Sequence, residues 1–177
     1  MDIFTKEHND VRQKYGTENL AKYWFETLET KFLDENMIRF MESMNYLFFA
    51  TTSKDGRVNM NFKGTQGQKL IKVLDKKRFI FPDFSGNGIL HSIGDLQTNP
   101  YVGLLIIDFA RDIRIKVNGK AKIIDDSKII TKYLDVFESF DIQRLIEVSI
   151  DYVIPNCSKN LSVVRDGILK VQNDKLS

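Results

Sequence analysis

The residues able to do chemistry gather between Phe79 and Lys122. An aromatic run ending in Pro82-Asp83 leads into Gly86-Asn87, then Ser92, Asn99-Pro100 and a basic strand, Asp112 to Ala121, that carries Arg114, Lys116 and Lys120. The order strand, glycine-bearing turn, short helix, strand, basic strand can build an anion pocket beside a flat apolar slot. A phosphorylated planar cofactor needs that combination. Backbone N–H groups in the turn and at the start of the next helix would face the anion, where the helix dipole also favours negative charge. Ser92 would add a hydroxyl. Glycine and asparagine are also ordinary residues of a strand-to-helix turn, so this segment alone leaves both readings open.

Other residues carry a chemical and a plain reading side by side. Lys63, at a strand end beside Gly64, can face a phosphate or the edge of a ring that gains negative charge on reduction, or it is a solvated surface lysine. Arg114 and Lys116 share one face of their strand, opposite Ile113 and Ile115, and either line a site or coat an outer surface. Trp24 and the Phe48-Phe49 pair could stack on a ring, but large aromatics more often fill a core. His91 has no acid at a spacing that would make it catalytic and is expected to be partly buried and hydrogen-bonded. Lys159 beside Cys157 would lower the thiol pKa, although a structural thiol is the simpler expectation.

Composition narrows the classes. The 177 residues suffice for one domain with a real core. The net charge of +2, from 26 basic and 24 acidic residues, gives no polycation to drive nonspecific nucleic-acid binding. One cysteine and two histidines, His8 and His91, argue against disulfides and a metal centre. No phosphate-binding Gly-rich loop with its lysine, nucleophile elbow or zinc-ligand array is present. The start of the chain lacks the pattern of a secretory leader, and no apolar run reaches a membrane span, so a soluble cytoplasmic protein is expected.

The elements that would position these residues are mainly strands with peripheral helices. Leu20, Tyr23, Trp24 and Leu28 recur at helical spacing within 19–30, and Asp34 caps a second helix bearing Ile38, Phe40, Met41 and Met44. Tyr46–Thr52 and Arg57–Lys63 form a hairpin about Asp55-Gly56, and Lys69–Leu74 with Arg78–Phe81 form another pair. Gly88–Gln97 is a short helix ended by Asn99-Pro100. Tyr101–Asp108, apolar enough to be buried on both faces, and Arg111–Ile124 are central strands. A helix over Asp125–Phe137, capped by Asp126 or Ser127, and a strand over Leu145–Ile154 follow. The tail is expected to add a hairpin about Asp166-Gly167. The division is one domain over 1–177, with N-terminal helices to 45, a barrel over 46–160 and a tail over 161–177.

Taken in order, Ala50-Thr51-Thr52 before Asp55-Gly56, Lys63-Gly64, Phe81-Pro82-Asp83, Gly86-Asn87, Ser92, Leu96 with Asn99-Pro100, Val102 to Leu105, Arg114 with Val117 to Ala121, and Cys157-Ser158-Lys159 resemble the pyridoxamine 5′-phosphate oxidase-like family. The match runs from Met37 to Lys159. The resemblance implies a six-stranded antiparallel split β-barrel of α+β class, forming a homodimer with FMN in each of two interface grooves. It implies that Asn61, Phe62, Lys63 and Gly64 flank the flavin and ribityl chain, that Pro82 and Asp83 border the ring, that Gly86, Asn87 and Ser92 approach the phosphate, and that Arg114 reaches across from the partner subunit. Oxidases proper carry Arg-Lys where this chain has His91-Ser92 and glutamine where it has Arg114, and the tail lacks their Trp and Arg-rich segment, which argues against vitamin B6 oxidation. The expected function is FMN-dependent electron or hydride transfer from a nicotinamide or other donor to a small acceptor, with no side chain identified as acid or base. A noncatalytic flavin carrier or redox sensor is the alternative, and a haem- or deazaflavin-binding barrel a third.

Overall fold

The computed structural model describes residues 4–28, 30–139, 141–155 and 161–174. Two helices open the chain, α1 (Lys6–Tyr15) and α2 (Glu18–Leu28), joined at Gly16, whose φ of 63° ends α1 in the left-handed conformation a glycine adopts without strain. The hairpin they form is only lightly tied to the rest. No residue of α1 is buried, and the chain is pinned just after α2 by paired backbone hydrogen bonds between Thr30 and Val153. Trp24, expected in the core, is 45% exposed and packs edge-on against Tyr23. Helical spacing sets which residues share a face, but not whether anything covers that face.

Helix α3 (Glu35–Glu42) starts where Asp34 accepts a hydrogen bond from the Met37 N–H at 2.8 Å, and it sends Phe40 and Met41 into the core. Seven strands follow rather than six: β1 (Tyr46–Thr52), β2 (Val58–Gly64), β3 (Lys72–Asp75), β4 (Arg78–Phe84), β5 (Tyr101–Asp108), β6 (Ile113–Ile124) and β7 (Ile142–Pro155). Every neighbouring pair is antiparallel, in the order β2-β1-β5-β6-β7-β4-β3. The edge strands β2 and β3 do not pair with each other among the described residues, so the sheet is a barrel left open on one side. Leu47, Phe49, Phe79, Phe81, Leu104, Ile106, Val117, Val148 and Val153 fill it.

Helix α4 (His91–Leu96) is shorter than expected and packs against β1, β6 and β2. The expected helix over 125–137 is two short ones, α5 (Ser127–Thr131), capped by Asp126, and α6 (Leu134–Phe137), broken at Lys132-Tyr133. They cover a second apolar cluster of Ile80, Ile130, Phe137, Ile142 and Leu145, so β4 is buried on both faces. Strand β5 is not: Leu105 on its outer face is only half-buried. The tail is also corrected, because helix α7 (Leu161–Asp174) replaces the expected hairpin. Leu161, Val164, Ile168 and Val171 recur at three- and four-residue intervals, and that periodicity outweighs the local Asp-Gly turn signal. Arg165 fixes α7 to the β5–β6 turn through Asp112 at 2.7 Å.

Candidate cofactor site

Alternation along β2 places Asn59, Asn61 and Lys63 on one face and Val58, Met60 and Phe62 on the other. The polar set looks into a cleft of about 230 Å³ at the open side of the barrel. Asp83 and Phe84 of β4, the loop Gly86 to Leu90, and His91, Ser92 and Ile93 of α4 complete its walls. Two ordered networks hold it. In the first, Ser92 Oγ accepts from Asn61 Nδ2 at 2.5 Å and Asn59 Nδ2 at 3.3 Å; Asn59 also donates to Thr51 Oγ1, which donates to Asp95 Oδ2 at 2.6 Å. Helix α4 is thereby fastened to β1 and β2. In the second, Asp83 takes Lys63 Nζ on one carboxylate oxygen at 2.7 Å and Arg144 Nη1 on the other at 3.2 Å. These contacts span the opening, since Lys63 lies on one edge strand and Asp83 and Arg144 lie on neighbouring strands near the other.

Of the residues singled out in the sequence, Asn61, Lys63, Asp83, Gly86, Asn87 and Ser92 come together around this cleft. Phe62 does not: it is 63% exposed on the opposite face of β2, stacked on Tyr46 and edge-on to Phe48. Gly64 shares that outer side, pressed against the Phe62 ring. Pro82 is buried in β4 away from the cleft walls. Arg114 is half-buried on the outer face of β6, paired in register with Ile107, and its Nε is buried without a hydrogen-bond partner. Lys116 is exposed on the same outer face. His91, expected to be partly buried, is exposed at the cleft rim, because the first residue of a six-residue helix faces outward here. Cys157, Ser158 and Lys159 lie outside the described residues.

Sequence reasoning missed Asn59, Asp95 and Arg144. The signal for Asn59 was its alternation with Asn61 and Lys63. Arg144 stands just before the apolar run from Leu145, and only the β4–β7 register sets it opposite Asp83.

A larger gap, about 970 Å³, separates the α1–α2 hairpin from the start of β5 and from Asn118 to Lys120 of β6 and Ile150 to Tyr152 of β7. Three of the cations lining it lie over rings, Arg12 over Phe4 at 3.7 Å, Lys77 over Phe32 at 4.6 Å and Lys120 over Tyr101 at 5.1 Å, and Lys22 pairs with Glu26. The smaller cleft, where polar groups converge at the split, is the better candidate for recognition of a polar ligand.

Comparison with known families agrees with this fold. Residues 33–151 match the model of the pyridoxamine 5′-phosphate oxidase family, so the chain belongs to that family. Among solved structures, a protein of Lactobacillus delbrueckii assigned by name to the pyridoxamine 5′-phosphate oxidases superposes with a TM-score of 0.56 at 18% identity, over 72% of this chain and 99% of that one. HupZ of Group A Streptococcus gives 0.55 at 13% identity, over 70% and 94%. An FMN-binding protein of Syntrophomonas wolfei gives 0.50 at 14% identity, over 80% and 97%. Identities this low establish the shared fold. A comparison with curated protein sequences finds no match. No described helix is long and apolar enough to cross a membrane.

Proposed function

We propose that the protein is a homodimeric FMN-binding oxidoreductase whose flavin lies in the cleft at the open side of the barrel. The observation that carries this reading is the convergence of Asn59, Asn61 and Lys63 from β2, Asp83 from β4 and Ser92 from α4 at the one place where the sheet does not close. These residues fit the polar parts of a flavin nucleotide. The asparagine amides and lysine ammonium supply donors, the Ser92 hydroxyl accepts from both asparagines and keeps its own proton to donate, and Gly86 to Gly88 bring bare backbone to the rim. Ile89 and Leu90, 71% and 48% exposed at the mouth, give an apolar edge. A bound flavin would supply the redox chemistry, and this chain would supply position, charge and exclusion of water.

The cleft of one chain is small for the whole nucleotide, and the outer face of the sheet explains how it could be enlarged. Val58, Met60, Phe62 and Tyr101 are exposed there, a set that a second copy would cover. Arg114 is on the same face with an unsatisfied Nε, and in the dimer it would serve the partner's cleft. We assign no vitamin B6 substrate, since His91-Ser92 replace the Arg-Lys pair expected of the oxidases proper.

One observation favours a second reading, a flavin carrier without turnover. Among the described cleft residues the carboxylate of Asp83 is fully engaged, and His91 at the rim is the only histidine. The test is a visible spectrum of the purified protein with and without FMN, then anaerobic NADH and NADPH. Bound flavin that bleaches supports the oxidoreductase; bound flavin that stays oxidised with every donor supports the carrier. No flavin binding refutes both.

A further inference from the structure

We propose that Asp83 and Arg144 are positioning residues that form a charge clamp on Lys63, fixing its ammonium in the cleft wall and setting the reduction potential of the flavin; this rests on the flavin reading above. Both oxygens of the Asp83 carboxylate are engaged by cations. The side chain is 7% exposed, with Lys63 at 2.7 Å on one oxygen and Arg144 at 3.2 Å on the other. Arg144 is the direct cross-strand partner of Asp83 in the β4–β7 ladder, so the carboxylate is held from its own sheet. Lys63 reaches it from β2 across the split. A flavin in the cleft would therefore meet a Lys63 ammonium held in place by Asp83.

The charge arithmetic gives the clamp its function. Lys63, Asp83 and Arg144 sum to one positive charge, and all three side chains are at most a quarter exposed, so solvent screens them incompletely. A flavin becomes more negative on reduction, and positive charge nearby favours that form. Removing Asp83 leaves the cluster with two positive charges, and removing Arg144 leaves it with none in excess. The two losses must push the potential in opposite directions, although each breaks the same ion pair. A purely structural role for the pair predicts no such opposition.

The experiment compares Asp83→Asn, Arg144→Gln and Arg144→Lys with the parent. The expected result is a potential raised in Asp83→Asn and lowered in Arg144→Gln, each by about a tenfold change in the preference for reduced over oxidised flavin, or about 30 mV for a two-electron couple. Arg144→Lys, which keeps the charge, should stay near the parent and guards against misfolding of the glutamine variant. A second readout needs no flavin: labelling of Lys63 by an amine-reactive reagent, followed by mass spectrometry, should quicken in Asp83→Asn and not in Arg144→Gln. Potentials that shift the same way in both variants, or do not shift, overturn the potential setting. Equal Lys63 labelling in the parent and Asp83→Asn overturns the clamp. A parent that takes up no FMN refutes the flavin reading and the potential setting with it, while the labelling still decides the clamp.

Discussion

Replacing Gly119 with alanine should damage the barrel more than any other single methyl added to its strands, and the structure gives the size of the effect. Gly119 stands at an irregularity of the β6–β7 ladder, where Asn118 pairs with Tyr152 but Gly119 pairs with Ile150. A Cβ built on it falls 2.1 Å from the Ser149 carbonyl oxygen, 3.0 Å from the Ser149 carbonyl carbon and 3.2 Å from Ile150 Cα. All three are backbone atoms, so no rotamer change relieves the clash, and the strands must part by almost an ångström. Overpacking of this kind costs about 1–3 kcal/mol, and the weakened ladder hydrogen bonds cost about 1 more. Together they make about 3 kcal/mol, which for a chain of this size lowers Tm by roughly 6–12 °C. Gly103→Ala is the matched control: its Cβ would meet Asn118 Nδ2 at 3.7 Å and the Ala50 Cβ at 3.9 Å, both ordinary contacts. That variant should stay within about 1 kcal/mol of the parent. Thermal unfolding followed by circular dichroism, at one protein concentration for all three proteins, decides it. A Gly119→Ala protein that melts within 2–3 °C of the parent, taken as about 1 kcal/mol, would refute the reasoning.

Ser92→Ala removes the acceptor shared by Asn59 and Asn61 and should cost about 1–3 kcal/mol of stability while weakening FMN binding; urea unfolding and a flavin-fluorescence titration read the two effects. Met60→Lys with Phe62→Ser places polarity on side chains already 61% and 63% exposed, so it should convert a dimer to monomer in analytical ultracentrifugation with little change in secondary structure. Glu42 links α3 to β3, and although burial raises its pKa, the Lys72 hydrogen bond, the Val73 N–H and the charges of Lys69 and Lys72 hold it below the ordinary glutamate value. A lowered folded pKa means that its stabilisation is full above the unfolded value and is lost as pH falls through the folded one. Glu42→Gln should therefore be less stable than the parent at pH 7 and converge with it in acid, as seen in denaturant midpoints across pH.

Strands were legible in this sequence because burial on one face imposes a period of two. Tyr46–Thr52 and Tyr101–Asp108 stand where alternation and apolar content put them. Asn61 and Lys63 came with Phe62 from the family resemblance, and alternation along β2 is what separates the first two from the third. The rest of the site depends on how far the sheet curls. Nothing local to Lys63, Asp83 or Arg144 says that 20 and 61 residues of separation close to a hydrogen bond. The fate of Trp24 and Phe62 was hidden for a related reason. Apolar residues report a face that needs cover, and in the proposed dimer the cover need not come from the same chain.

The split itself is the link between fold and chemistry. Had β2 and β3 paired to close the barrel, Asn59, Asn61 and Lys63 would be interior polar groups needing internal partners, a costly arrangement in a core of this size. Left open, the same side chains meet Ser92 and Asp83 at an edge where water or a ligand can complete their hydrogen bonds. The exposed edge of β2 is then a liability for association with other chains. Its outward residues, Val58, Met60 and Phe62, suit a fixed self-contact rather than solvent. In the proposed dimer this seven-residue strand would turn a polar face to the cleft and an apolar face to the partner, and substitutions on it should separate by parity: even positions change assembly, odd positions change what the cleft holds.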